Sequence, residues 1–311
     1  MFSICIPTYN YDITPLVNDL HRQGELLDAD FEIIIVDDAS EETYRKKNTT
    51  LSSLDNIEYH QLNQNIGRSK IRNLCASMAN FHWIIFMDCD SKCPDDQYLK
   101  RYAQQTKKSA HVICGGRSYM DAPLENNTYL HWYYGTNREV RSAKQRNKEP
   151  FRSFMTNNFM LRKDVFDRIQ FNEDLIGYGH EDTLFGIDLS QKQVPLLHID
   201  NPLLHIGLQN DKEFLDKTRQ AVFNLVFIYK HLNIKKLFER HVRLVSAFEK
   251  VRKARMTTVL AFLFPYFQST IEKQLKSGKP RLWLLDIYKL GVFCHAYKYK
   301  REDQKEKSSD H

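Results

Sequence analysis

The sequence predicts an α/β fold: a doubly wound, mostly parallel sheet flanked by helices, with a helical appendage behind it. Three observations carry this. Short apolar runs alternate with helix-like segments through residues 1–210. Several of those runs stop at polar or acidic residues. From Lys212 onward the apolar period turns helical and stays so.

The elements follow in order. Ser3-Ile4-Cys5-Ile6 reads as a strand that Pro7 should end, leaving Thr8, Tyr9 and Asn10 at its carboxyl end. Leu16, Val17 and Leu20 mark one face of a helix. Phe31 to Val36 is a second strand, stopping at Asp37-Asp38. A third, about Ile57 to Leu62, leads through Asn65 and Gly67 to a helix that starts near Ser69. Trp83 to Met87 reads as a strand buried on both faces. It ends in Asp88-Cys89-Asp90, where open α/β sheets bind ligands. Two hard oxygen ligands there suit Mg²⁺ or Mn²⁺, and so a diphosphate. A plain polar turn is the alternative.

A helix is expected over 95–106 and a fifth strand over 110–116. From Arg117 to Pro150 the pattern dissolves into aromatics (Tyr119, Tyr129, Trp132) and then bases (Arg138, Arg141, Lys144, Arg146, Lys148). This is either a binding loop for sugar and diphosphate or a core helix followed by a solvated loop. Phe154 to Leu161 reads as a strand on which Asn157 and Asn158 can bond sugar hydroxyls. In Gly177-Tyr178-Gly179-His180-Glu181-Asp182 the glycines permit a tight loop, and Glu181 and Asp182 open a helix to about Lys192. A helix N-terminus favours charged carboxylates, which suits a general base. Capping alone also accounts for them. Further helices are expected over about 234–255, 257–276 and 281–298. Residues 300–311 form a charged tail expected to be disordered.

The 311 residues fit a catalytic domain over 1–210 and a helical region over 211–299. Residues 211–311 carry 22 Lys and Arg against 11 Asp and Glu, leaving 23 against 28 in 1–210. The basic half can face an anionic membrane or be a solvated helical surface; nothing points to nucleic acid. Phe2 to Ile6 is too short for a signal-peptide core. The apolar run Thr258 to Phe267 contains Pro265 and cannot span a bilayer. Six scattered cysteines suit reduced thiols, so a cytoplasmic location is expected, with possible contact to the inner membrane face. There is no G-x-G-x-x-G after the first strand and no P-loop motif.

Pro7-Thr8-Tyr9-Asn10, Asp37-Asp38-Ala39-Ser40, Asn65-x-Gly67 with Arg72-Asn73, and Asp88-x-Asp90 come in an order and spacing that resembles the nucleotide-binding half of a family 2 glycosyltransferase of GT-A fold. The resemblance covers about residues 1–210. It implies a nucleoside-diphosphate-sugar donor, most simply UDP-linked, and transfer with inversion. It places Thr8 and Tyr9 beside the nucleoside, Asp38 with Asp37 on the base, and Arg68 and Arg72 near the nucleotide. Pro7, Asn10, Asn65 and Gly67 complete the donor site. Asp88 would serve ribose or metal, and Asp90 the Mn²⁺ or Mg²⁺. The later motif resembles the G-[WY]-G-x-E-D acceptor loop of galactosyl- and N-acetylgalactosaminyltransferases, which implies Asp182 as base and Glu181 as acceptor holder. Gly177, Tyr178, Gly179 and His180 would line the acceptor. The same relatives place a metal-binding histidine near His205, favoured over His198 on position. The acceptor would be a saccharide or lipid-linked saccharide in surface polysaccharide or glycolipid assembly. Two rivals are a sugar nucleotidyltransferase and a non-catalytic binder on a transferase fold.

Overall fold

The computed structural model describes residues 1–299 apart from Leu124, Ile176 and Asn233. The tail expected over 300–311 lies outside the described residues.

Ten strands are present among these residues: β1 (Phe2–Thr8), β2 (Phe31–Asp37), β3 (Ile57–Gln61), β4 (Trp83–Met87), β5 (Ser91–Lys92), β6 (Val112–Cys114), β7 (Arg117–Ser118), β8 (Asn158–Arg162), β9 (Leu196–His198) and β10 (Leu203–His205). Helices α1 (Thr14–Glu25), α2 (Glu42–Thr49), α3 (Arg68–Met78) and α4 (Tyr98–Ala103) fall between the early strands. The stretch expected to be irregular holds α5 (Tyr129–Tyr134) and α6 (Ala143–Arg146), with short helical turns around them. Then come α7 (Lys163–Phe166) and α8 (Glu181–Gln191). The chain closes with α9 (Asp211–His231), α10 (Lys235–His241), α11 (Arg243–Lys253), α12 (Thr257–Leu275) and α13 (Leu282–Tyr299).

Seven strands form the main sheet in the order β3-β2-β1-β4-β8-β6-β9, and β5, β10 and β7 form a small second sheet. Along each central strand, successive side chains enter opposite layers. Ile4, Ile33, Ile35 and Ile85 pack on one face of the sheet. Cys5, Ile34, Val36, Ile84 and Phe86 pack on the other. Burial on both faces is why these strands read as unbroken apolar runs.

The main sheet is mostly parallel, as expected, with β8 running antiparallel to both β4 and β6. Two expectations change. Pro7 does not end β1. The ladder to β2 continues to Thr8, while the ladder to β4 stops at Cys5. The segment over 234–255 is two helices, not one, with Val242 extended between them.

The C-terminal helices pack against α5 and α8. Leu130, Leu184 and Ile187 share a cluster with Phe214, Leu225, Phe248 and Phe293. Within this region α12 and α13 form a close antiparallel pair. A Cβ added at Gly291 would lie 2.0 Å from the Phe264 ring. Gly291→Ala should therefore lower Tm by a few degrees. Overpacking costs about 1–3 kcal/mol, more than the ~1 kcal/mol that alanine gains over glycine in a helix. A thermal melt checks it, and an unchanged or raised Tm would show that the pair separates without cost.

Candidate active site

A chain of alternating charges joins the carboxyl end of β4 to the starts of α3 and α8 and to β7. Glu139 Oε2 lies 3.1 Å from Arg117 Nη1, and Arg117 Nη2 lies 3.3 Å from Asp88 Oδ2. Asp88 Oδ1 accepts from Arg72 Nη2 at 2.9 Å. Arg72 Nη1 is 3.7 Å from Glu181 Oε1, which is 3.5 Å from Arg68 Nε. Tyr119 donates its hydroxyl to Glu139. Arg117 and Tyr119 hold the Glu139 carboxyl low against a burial that pushes it up.

Asp88 is therefore not gathered with Asp90 as a metal ligand. Both its oxygens are taken by guanidinium groups. Asp90 pairs instead with His205, which β10 brings alongside by its antiparallel register to β5. His205 Nδ1 lies 3.4 Å from Asp90 Oδ1. Asp90 Oδ1 and both His205 nitrogens are buried without a hydrogen-bond partner. Burial pushes the Asp90 carboxyl up, yet His205, Arg117 and Arg68 hold it at about 2. Gly207 leaves the space: a Cβ there would lie 2.5 Å from the Asp90 carboxylate. His198 is spoken for, with Arg146 on Nδ1 and the Pro150 carbonyl on Nε2. These orphaned donors fit a divalent cation. Among the described residues, no group of three or more His, Cys, Asp and Glu is gathered for one.

The start of β2's loop is stitched together internally. Asp37 is fully buried and accepts from Ser40 N–H and the Tyr59 hydroxyl. It supports the loop and does not face a base. Asp38 accepts from the amides of Ile66 and Gly67, and Asn65 donates to the Asp38 carbonyl. Asn10 ties to Ser40 and Glu41 across the same loop. Thr8 is buried, whereas Tyr9 is 53% exposed and offers an open ring.

At the other wall, Gly179 and Gly177 both take positive φ, and His180 is left-handed at φ 73°. A Cβ at Gly179 would lie 2.7 Å from the Cβ of Ala221, so α9 sits hard against this loop. Asn224 on α9 donates to the carbonyls of Tyr178 and Gly179. The Tyr178 ring lies 4.8 Å from the Arg68 guanidinium and 5.4 Å from Lys217 Nζ. Glu181 is buried against Arg68 and Arg72. Asp182 Oδ1 accepts from Thr183 N–H at 2.6 Å. Burial first, and the Glu181 carboxylate second, raise the Asp182 carboxyl from 3.8 to about 6. The expected preference of a helix N-terminus for charge is outweighed here.

Asn158 is not free for a sugar. It is 1% exposed; its Oδ1 accepts from the Tyr98 and Tyr102 hydroxyls, and its Nδ2 donates to the Gly116 and Asn201 carbonyls. Asn157 is also buried, but its Oδ1 has no partner. Arg146, one of the bases expected to meet a diphosphate, is buried and donates to the carbonyls of Cys114, Gly115 and Ile199. Arg117, Glu139 and Lys217 were not singled out as site residues by the sequence, and Tyr119 was named only among the aromatics of a candidate binding loop. Each is an isolated residue whose partners lie on other elements.

With this geometry in view, the comparisons place the chain. Residues 3–170 match the sequence profile "Glycosyl transferase family 2". The chain belongs to that family. It is 26% identical over 220 residues to "Chondroitin synthase" of Escherichia coli, covering 60% of this chain and 32% of that one. It is 33% identical over 92 residues to "Poly(ribitol-phosphate) beta-N-acetylglucosaminyltransferase TarS" of Staphylococcus aureus, covering 29% of this chain and 16% of that one. The chain thus spans a third or less of these curated relatives. Among solved structures, residues 1–349 of S. aureus TarS superpose with TM-score 0.52 at 18% identity, covering 96% of this chain and 92% of that one. The mannosyltransferase PcManGT of Pyrobaculum calidifontis, solved with GDP-Man and Mn²⁺, superposes with TM-score 0.56 at 12% identity, covering 97% and 88%. These matches show the GT-A fold, with its mostly parallel central sheet flanked by helices.

The Asn158 geometry gives a test. Asn158→Ala should cost at least about 3 kcal/mol in urea unfolding, because it strands two hydroxyls and two carbonyls. An acceptor-binding role would instead raise KM and leave stability alone.

Proposed function

We propose that this chain transfers a hexosyl or N-acetylhexosaminyl group from a nucleoside-diphosphate sugar, UDP-linked, to a hydroxyl of a saccharide or lipid-linked saccharide. Family membership supports the reaction class. The donor class is supported by the TarS structure solved with UDP-GlcNAc, TM-score 0.53 at 17% identity over 96% of this chain and 92% of that one. The single observation that carries the reading is the Asp182 carboxyl, partly buried at the start of α8 beside Glu181 with its proton affinity raised to about 6. It is tied through Glu181, Arg72 and Asp88 to the wall that holds Asp90 and His205.

In this reading the acceptor oxygen attacks the anomeric carbon as the bond to the diphosphate breaks, with inversion. Asp182 takes the hydroxyl proton. A carboxylate with a pKa near 6 is mostly ionised at pH 7 and is a stronger base than an ordinary aspartate. Glu181, fixed by two arginines, holds the acceptor. Tyr9 covers the nucleoside, and Arg68 and Lys217 face the phosphates. Asp90 and His205 would hold Mn²⁺ or Mg²⁺, and such a cation would supply charge neutralisation to the leaving diphosphate.

Two experiments test this. Asp182→Asn should lower kcat by at least about 10²-fold while nucleotide affinity is kept. In the wild type, kcat should fall below about pH 6 as Asp182 gains its proton. The sign for stability is opposite. A carboxyl whose folded pKa is raised stabilises the fold below about 3.8, and that contribution is lost as pH rises through about 6. Asp182→Asn should therefore melt no lower than wild type at pH 8. If it retains most of the transfer rate, Asp182 is only a cap.

For the other wall, titration calorimetry with UDP and Mn²⁺ should show that Asp90→Asn and His205→Ala lose metal-dependent affinity at least about tenfold, with unchanged circular dichroism. Equal affinity with and without metal in the wild type would remove the cation from the reading.

A further inference from the structure

We infer that the α12–α13 hairpin seats this protein on the surface of an anionic bilayer. The inference stands apart from the proposed reaction, since it concerns a face that carries none of the site residues.

Helix α12 is apolar on two sides. Ala261, Phe264 and Leu275 are buried toward the rest of the helical region. Val259, Phe262, Leu263, Tyr266 and Phe267 point away, each between 39% and 69% exposed. Their spacing, i, i+3, i+4, i+7 and i+8, is one continuous helical stripe. Trp283 and Ile287, one turn apart on α13, are 55% and 48% exposed. Single exposed apolar residues need no explanation, but a continuous aromatic-rich stripe does.

Charge says what covers it. Met256 to Ile271 contains no charged residue. Lys253 and Arg255 precede that span, and Lys273, Lys276, Lys279 and Arg281 follow it. Glu272 is the sole acid between 250 and 281, and it is engaged by Gln268 and Tyr288. An apolar stripe with a cationic fringe at both ends matches a bilayer interface with anionic headgroups. Trp and Tyr are the residues that such an interface favours. A second copy fits worse, because a symmetric contact through this stripe would set cationic fringe against cationic fringe. The helix lies on the bilayer and does not cross it: no helix among the described residues is long and apolar enough to span. Pro265 does not interrupt it, because α12 runs continuously through that position.

Residues 250–298, combining Lys250, Arg252, Lys253 and Arg255 with the apolar run Val259 to Phe267, were the stretch that the sequence offered for such a surface. Part of that charge is used within the protein. Arg252 pairs with Glu249 at 2.8 Å, and Lys253 with Glu239 at 3.9 Å. The aromatic stripe, with the lysines beyond it, is the better-placed surface.

The test is flotation of the full chain with phosphatidylcholine vesicles, with and without phosphatidylglycerol. The chain should float with the anionic vesicles at low salt and at least about tenfold less with neutral vesicles or at high salt. Phe262→Ser with Tyr266→Ser and Phe267→Ser should reduce flotation by about tenfold or more while keeping its melting temperature. In the unmodified chain, brominated lipid should quench fluorescence from the exposed Trp283, a reading that needs no variant. Transfer to a soluble acceptor, measured separately, should be the same in the triple variant. Absence of flotation, flotation of the triple variant equal to wild type, or a dimer in sedimentation that the triple variant abolishes without any vesicle binding would each overturn the inference.

Discussion

The arrangement depends on Asp88 held between two guanidinium groups. Arg72 is 3% exposed, and an arginine that deep is tolerated only when paired. Asp88 meets that need on one side and meets Arg117 on the other. Glu139 and Glu181 close the two ends, and Arg68 adds a last cation beside Glu181. The members come from β7, the turn after α5, the end of β4, the start of α3 and the start of α8. Removing a middle member would cost each of its neighbours one of its partners, so the two walls of the cleft hold a common register. This also explains why Asp88 and Asp90, one residue apart, have different surroundings. Asp88 is spent on the network, and Asp90 is left with His205.

The same logic shows what was legible in the sequence. Apolar runs ending in carboxylates located β2 and β4 and the places where a ligand could sit. Both signals are local: a strand's burial and its end are written in neighbouring residues. The roles of the individual carboxylates were not legible. Asp37 and Asp38 stand side by side in the chain, yet one is fully internal and the other is wrapped by the Ile66–Gly67 amides. Asn158 looked like a sugar-binding amide because nothing nearby revealed Tyr98, Tyr102 and Asn201 around it. Arg117 and Glu139 are 22 residues apart and follow no period. Such pairs are visible only when the fold has closed the loop between them.

The residues from 117 to 150 illustrate a second limit. Their short helices carry too few turns to show a period, so the sequence reads as irregular. Order comes instead from long-range anchors. Arg146 gathers carbonyls from β6 and from the turn after β9. Arg138 reaches Asp286 on α13 at 2.8 Å, while its neighbour Glu139 reaches Arg117. Adjacent residues thus tie the helical hairpin and the charged cleft to one segment. The C-terminal helices were legible as helices for the opposite reason, since each is long enough to repeat. Their faces were harder to assign. Helix α12 is apolar both toward α13 and away from it, and a periodicity argument cannot say which side is covered.

Asp182 shows how magnitudes decide between two correct principles. A helix N-terminus stabilises a nearby carboxylate by about 0.3–1 kcal/mol. Moving the carboxyl from 3.8 to about 6 corresponds to about 3 kcal/mol in the other direction. Burial beside a second carboxylate therefore wins, and the group becomes a better proton acceptor than its position on the helix suggests. Glu181 produces this effect because it cannot leave. Arg68 and Arg72 hold it in place, and its nearness adds to burial in raising its neighbour's affinity for a proton. The arginines that bind Glu181 are thereby coupled to the protonation of Asp182 without touching it, and Asp88 is coupled in turn through Arg72. A change at Asp88 would release Arg72 toward Glu181, weaken the field that Glu181 exerts on Asp182, and lower the pH at which Asp182 takes up its proton.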